Sequence, residues 1–86
     1  MSDQPIVMYG TTWCGDCRRV RRYLDFHKVA YCWIDIDQDE DAAAYVKQVN
    51  HGNRSVPTII FPDGSILVEP SNLVLKEKLA LGQPST

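Results

Sequence analysis

Ile6-Val7-Met8-Tyr9-Gly10-Thr11-Thr12-Trp13-Cys14-Gly15-Asp16-Cys17 joins an apolar run, a Gly-Thr-Thr break and two thiols two residues apart. The run over residues 6–9 is short and apolar, which suits a strand buried on both faces better than a helix. Past the break, Cys17, Val20, Leu24 and His27 recur at helical spacing, while Arg18, Arg19, Arg21 and Arg22 decorate the other faces. The spacing predicts an amphipathic helix over residues 18–27 with a wet, basic side. The thiols therefore stand at a strand-to-helix junction. There they can close a disulfide with each other and reopen it, the minimum equipment for thiol-disulfide exchange.

The rest of the chain frames that junction. Residues 29–36 are rich in β-branched and aromatic side chains and predict a second strand, ending in the acidic run Asp35-Ile36-Asp37. Asp37 or Asp39 is placed to cap a helix through Ala42-Ala43-Ala44-Tyr45-Val46 that stops near Asn50-His51-Gly52. Val56-Pro57-Thr58-Ile59-Ile60-Phe61 reads as a third strand opened by a proline, where a missing amide donor does least harm. Pro62-Asp63-Gly64-Ser65 turns it into Ile66-Leu67-Val68, a hairpin. Ser71 caps a last helix carrying Leu73, Val74, Leu75, Leu79 and Leu81, and residues 83–86 form a frayed tail. The order is β-α-β-α-β-β-α, an α/β class with three helices and a four-stranded mixed sheet. A right-handed first crossover makes the first two strands parallel, and the short Asp-Gly turn makes the last two antiparallel.

Composition sets outer bounds. Eighty-six residues suffice for one domain, residues 1–86 with a core at about 6–81, and 44% apolar with 23% charged residues is ordinary globular usage. A net charge of -2 argues against general nucleic-acid binding. The first five residues lack a signal peptide's basic start and apolar core, and no run approaches the ~20 apolar residues of a membrane span. The expectation is a cytoplasmic monomer, away from membranes and without metal. Three cysteines in a reducing compartment read as a reactive pair plus a bystander, so Cys32 is expected to be buried and inert. His27 and His51 are assigned to the surface or to helix ends, and the four arginines to a solvated face.

The attacking species in disulfide exchange is a thiolate, and the head of a helix favours negative charge. Cys14, at or just before the helix start, is therefore assigned as nucleophile, and Cys17, a turn further in and more buried, as resolving thiol. Asp16 opposes a thiolate beside it yet suits a first helical turn, and Arg18 and Arg19 are near enough to offset it. Trp13 offers a flat surface that covers the sulfur and meets a partner, or else simply packs. Val56-Pro57 faces the dithiol if its peptide bond is cis, which leaves the Val56 backbone free to pair with an extended thiol substrate.

Residues 9–17, Tyr-Gly-Thr-Thr-Trp-Cys-Gly-Asp-Cys, together with Gly52-Asn53-Arg54-Ser55-Val56-Pro57-Thr58 and Asp63-Gly64-Ser65, resemble the glutaredoxin family, and within it the mycoredoxin branch. The resemblance runs from about Ile6 to Leu81 and implies the shorter thioredoxin-like fold with a cis Val56-Pro57 bond. It implies a reductase of mixed disulfides between proteins and a low-molecular-weight thiol, glutathione or mycothiol, with no bound cofactor. Cys14 would attack and carry the small thiol, then be freed by a second small thiol or by Cys17. Trp13, Arg54, Val56 and Pro57 would line the small-thiol groove, with Ser71 and Asn72 at its far end. Glutathione-using relatives carry Gly-Gly and then aspartate before the last helix, whereas this chain has Val68-Glu69-Pro70-Ser71-Asn72, and Gly15-Asp16 replaces their Pro-Tyr. These departures favour a mycothiol-like thiol. Two alternatives stand beside this reading: a thioredoxin-like dithiol electron carrier fed by a flavin-dependent disulfide reductase, and a module binding an iron-sulfur cluster or zinc through cysteine.

Overall fold

The computed structural model describes residues 5–80. Its elements follow the expected order: β1 (Ile6–Gly10), α1 (Gly15–Phe26), β2 (Tyr31–Asp35), α2 (Glu40–Val49), β3 (Thr58–Ile60), β4 (Ile66–Val68) and α3 (Asn72–Leu79). The sheet order is β2-β1-β3-β4. β1 pairs with β2 in parallel, Met8 opposite Trp33, while β3 runs antiparallel to both β1 and β4. Mixed pairing is thus as expected from the crossover and the Asp-Gly turn.

Side-chain alternation along β1 divides the interior into two layers. Ile6 and Met8 join Val20 and Leu24 of α1, Ile59, Phe61 and Leu75 of α3 in the main core. Tyr9 turns the other way, toward a smaller cluster of Ile36, Ala42 and Val46 covered by α2. With two helices on one face and one on the other, β1 is fully buried only on the first; Val7 and Tyr9 are half-buried. The expected burial on both faces holds for one.

Helix ends explain most shifts of boundary. α1 starts at Gly15, three residues before the expected start at residue 18, because Cys14 acts as its N-cap and accepts the Cys17 amide N–H. At the other end His27 is the C-cap and Lys28 is left-handed, with φ 58°. The Lys28 N–H bonds Asp25 and the Val29 N–H bonds Leu24, the paired closure of a Schellman motif. Val29 consequently belongs to this cap and packs on the core, so β2 begins only at Tyr31. Of the two aspartates offered as cap for α2, Asp39 does the work, accepting the Ala42 N–H at 3.0 Å, and Asp37 is left for another role. Asn50 closes α2 through its own side chain, which donates to the Val46 carbonyl and to the Thr58 hydroxyl. β3 is shorter than residues 56–61, since Pro57 has no N–H to donate and the Phe61 N–H is taken by Ser65 in the turn.

Three expectations need correction or restriction. Cys32 is exposed, not buried, because β2 is an edge strand and the α2 layer reaches Ile34 but leaves Cys32 uncovered. In α3 the apolar residues do not form one face: Leu75 is fully buried and Leu79 packs on the core, while Leu73 and Val74 are exposed. Leu81 and residues 83–86 lie outside the described residues. His27 at the end of α1 and His51 just beyond α2 are where the sequence placed them.

Candidate active site

The site begins with a loop geometry. Thr11 to Trp13 carry the chain from the end of β1 to the head of α1, and Cys14 takes an extended conformation (φ -81°, ψ 121°) as the helix N-cap. Its Sγ accepts the Cys17 amide N–H at 3.2 Å, so the sulfur stands where unpaired amides and the positive end of the helix dipole meet. On its other side it lies 3.9 Å from the Val56 carbonyl oxygen. The Val56-Pro57 peptide bond is cis, and Pro57 is buried. Cys14 itself is partly open to solvent.

Cys17, one turn along, has no exposed surface. Burial pushes its thiol up to about 12, from an ordinary 9.0, with the neighbouring Cys14 adding to the rise and the Thr11 backbone opposing it. The two thiols, three residues apart in one helical turn, are free and differ sharply in environment. The room for Cys17 comes from Gly10: a Cβ there would stand 2.6 Å from Cys17 Sγ and 2.8 Å from the Trp33 ring. Gly10→Ala must therefore displace the sulfur or the indole. An overpacking loss of about 1–3 kcal/mol is expected, read as a lower urea midpoint against wild type.

Trp13, Asp37 and Arg54 form a hydrogen-bonded trio that starts from the residue next to Cys14. Trp13 is 64% exposed, so its ring is not taken up by packing. Its indole N–H donates to Asp37 Oδ2 at 2.7 Å, and the Arg54 guanidinium donates to Asp37 Oδ1. Both hydrogen bonds, Arg54 first, hold the Asp37 carboxyl below the usual carboxylate range. Asp37 is itself fixed by its backbone N–H, which donates to Asp35 Oδ1 at 2.9 Å.

The expected far end of the groove is tied in differently. Ser71 spends its hydroxyl on capping α3, accepting the Val74 N–H at 3.1 Å. Asn72 Oδ1 accepts from Arg19 at 2.7 Å, and the same guanidinium donates to the Pro70 carbonyl at 2.8 Å. Arg19 also approaches Asp16 at 3.6 Å, a partly exposed pair worth little energy. Arg19 is thus the strut that joins α1 to the approach to α3. The arginines are not a uniformly solvated face: Arg18 donates to the Thr12 carbonyl, and Arg21 lies over the Trp33 ring at 4.1 Å. Beyond Asn72 an open groove of ≈ 410 Å³ continues along α1, lined by Arg22, Tyr23, Phe26 and His27, and does not include the cysteines.

Of the residues expected at the site, the structure brings together Cys14, Cys17 and Val56-Pro57, with Trp13 and Arg54 linked through Asp37. Asn72 and the Pro70 carbonyl connect to α1 through Arg19, while the Ser71 hydroxyl serves α3 itself. Asp37 and Arg19 are the residues that sequence reasoning missed. Asp37 had one available signal, its position just past the carboxyl end of a parallel strand, where open α/β sheets place their sites. Arg19 had none, since its partners are 51 and 53 residues away.

A dithiol at the head of a helix, beside the carboxyl ends of a parallel strand pair and across from a cis-proline, defines a thioredoxin-like thiol-disulfide oxidoreductase. The glutaredoxin family model matches residues 6–66, and the chain belongs to that family. It is similar to a provisionally named glutaredoxin of Mycobacterium tuberculosis, with 45% identity over 74 residues, 86% of this chain and 88% of that protein. It is equally similar to mycoredoxin 1 of Corynebacterium glutamicum, 45% identical over 65 residues, 76% of this chain and 80% of that one. Among solved structures, a glutaredoxin from Archaeoglobus fulgidus superposes with a TM-score of 0.71 at 26% identity, covering 92% of this chain and 87% of its own.

Proposed function

We propose that the protein reduces mixed disulfides between proteins and a low-molecular-weight thiol, preferring a mycothiol-like thiol to glutathione. The observation that carries this is the unequal pair: a partly open sulfur at the N-cap of α1 and a fully buried one a turn behind it. In the first step the Cys14 thiolate attacks the small thiol's sulfur in the mixed disulfide, and the protein leaves as a thiolate that takes a proton from water. Cys14 then carries the small thiol in a new disulfide. Either a second small-thiol molecule, as its thiolate, attacks the small thiol's sulfur, freeing Cys14 as a thiolate and leaving the symmetrical small-thiol disulfide, or Cys17 gives up its proton and attacks the Cys14 sulfur, releasing the small thiol reduced and leaving a Cys14–Cys17 disulfide. The Val56 carbonyl faces the reacting sulfur and suits an extended thiol substrate, to which the exposed Trp13 ring, next to Cys14 in the chain, offers a flat surface.

The preference for a mycothiol-like thiol rests on the mycoredoxin resemblance and on the stretch before α3, where Asn72 is already engaged by Arg19. The deciding assay reduces one model protein mixed disulfide with glutathione, with mycothiol, and with a flavin-dependent thioredoxin reductase in place of either. Mycothiol is expected to support the highest rate. Equal or faster turnover with glutathione overturns the preference, and turnover with the flavoenzyme alone replaces the reading with a dithiol carrier.

A further inference from the structure

Asp37 joins Trp13, next to Cys14 in the chain, to Arg54, two residues before Val56, yet neither the dithiol chemistry nor the sheet requires it. Both of its carboxylate oxygens are used, one by the Trp13 indole N–H and the other by Arg54. Asp37 and Arg54 are each only about one-third exposed, so the pair is not two freely solvated charges. Arg54 stands two residues before Val56, whose carbonyl faces Cys14. A substrate thiol bound at Cys14 and extending along that backbone meets a guanidinium whose charge has been answered from within the protein.

We propose that Asp37 is a specificity-determining residue: by pairing Arg54 it leaves this arm of the groove without net charge, which selects a small thiol carrying no carboxylate there. The inference rests on the small-thiol reading above and deepens it. Glutathione carries two carboxylates. An N-acylated cysteinyl glycoside carries none, and its hydroxyls can lie on the exposed Trp13 face and hydrogen-bond around a satisfied ion pair without desolvating a free charge. Asp37 stays ionised well into acid, since Arg54 and Trp13 hold its carboxyl low, and so the pair persists across the neutral range.

The test compares three model mixed disulfides, formed with glutathione, with glutathione amidated at both carboxylates, and with mycothiol. The quantity read is the ratio of kcat/KM for the acid to that for the amide. Asp37→Asn exposes the Arg54 charge and is expected to raise this ratio about fivefold, through KM, as one partly exposed charge-assisted contact would. Arg54→Gln leaves Asp37 alone and is expected to lower the ratio, and the double substitution to bring it back near wild type. The shifts are expected to shrink at high salt. A ratio that stays put in Asp37→Asn, or moves the same way in both single variants, overturns the proposal. So does an Asp37→Asn protein that still rejects both glutathione forms while wild type reduces the mycothiol one. Wild type that reduces none of the three overturns the small-thiol reading itself.

Discussion

Cys14→Ser is expected to abolish reduction of every mixed disulfide, a loss of about 1000-fold or more in kcat/KM, because a hydroxyl in the same place is not ionised and cannot attack sulfur. The fold should not notice. Cys14 is partly open, its sulfur bonds the Cys17 N–H and faces the Val56 carbonyl, and serine is a good N-cap residue. A variant with wild-type urea midpoint and no activity is therefore the expected pair of results. Retention of more than a few per cent of activity would remove Cys14 from the role of nucleophile.

Cys17→Ser is expected to split the activities. Reduction of a small-thiol mixed disulfide survives, since a second small thiol can free Cys14, while any turnover that ends in a Cys14–Cys17 disulfide is lost. Loss of both activities in a folded variant would favour the dithiol carrier. Here the fold does respond. Cys17 has no exposed surface, and exchanging its buried thiol for a more polar hydroxyl is expected to cost about 1–3 kcal/mol. The same substitution changes the alkaline limb of stability. The Cys17 thiol keeps its proton in the folded chain up to about 12 but releases it near 9.0 when unfolded. The unfolded state thus binds fewer protons between those values, and stability falls as pH rises through that window. Below the lower value this contribution is fully present. Urea midpoints measured from pH 8 upward should decline more steeply in reduced wild type than in Cys17→Ser.

What the sequence disclosed and what it withheld follow from the range of the interactions. The place of Cys14 and Cys17 is local chemistry: the third amide of the helix reaches back to the sulfur three residues before it, and spacing alone specifies that. The Pro62-Asp63-Gly64-Ser65 turn is equally local, with Asp63 accepting from Ser65 and Gly64 at φ 87°. Between Asp37 and Asp39 the sequence could not choose, because both are suitable caps and the choice is made by Trp13 and Arg54, 24 and 17 residues distant from Asp37. Cys32 went the wrong way for a related reason. Its apolar neighbours Trp33 and Ile34 pack inward as expected, but whether a strand lies at the edge of a sheet, and how far a covering helix reaches, are properties of the assembled layers.

The missing side chain at Gly10 leaves Cys17 Sγ and the Trp33 ring within 2.6 and 2.8 Å of the point a Cβ would occupy, and Arg21 lies over the same ring at 4.1 Å. Sulfur at such range quenches indole emission, and a disulfide does so more strongly than a thiol. Trp33 emission is therefore expected to fall when Cys14 and Cys17 close a disulfide, and emission from the exposed Trp13 to change when a partner docks; single Trp→Phe variants separate the two signals.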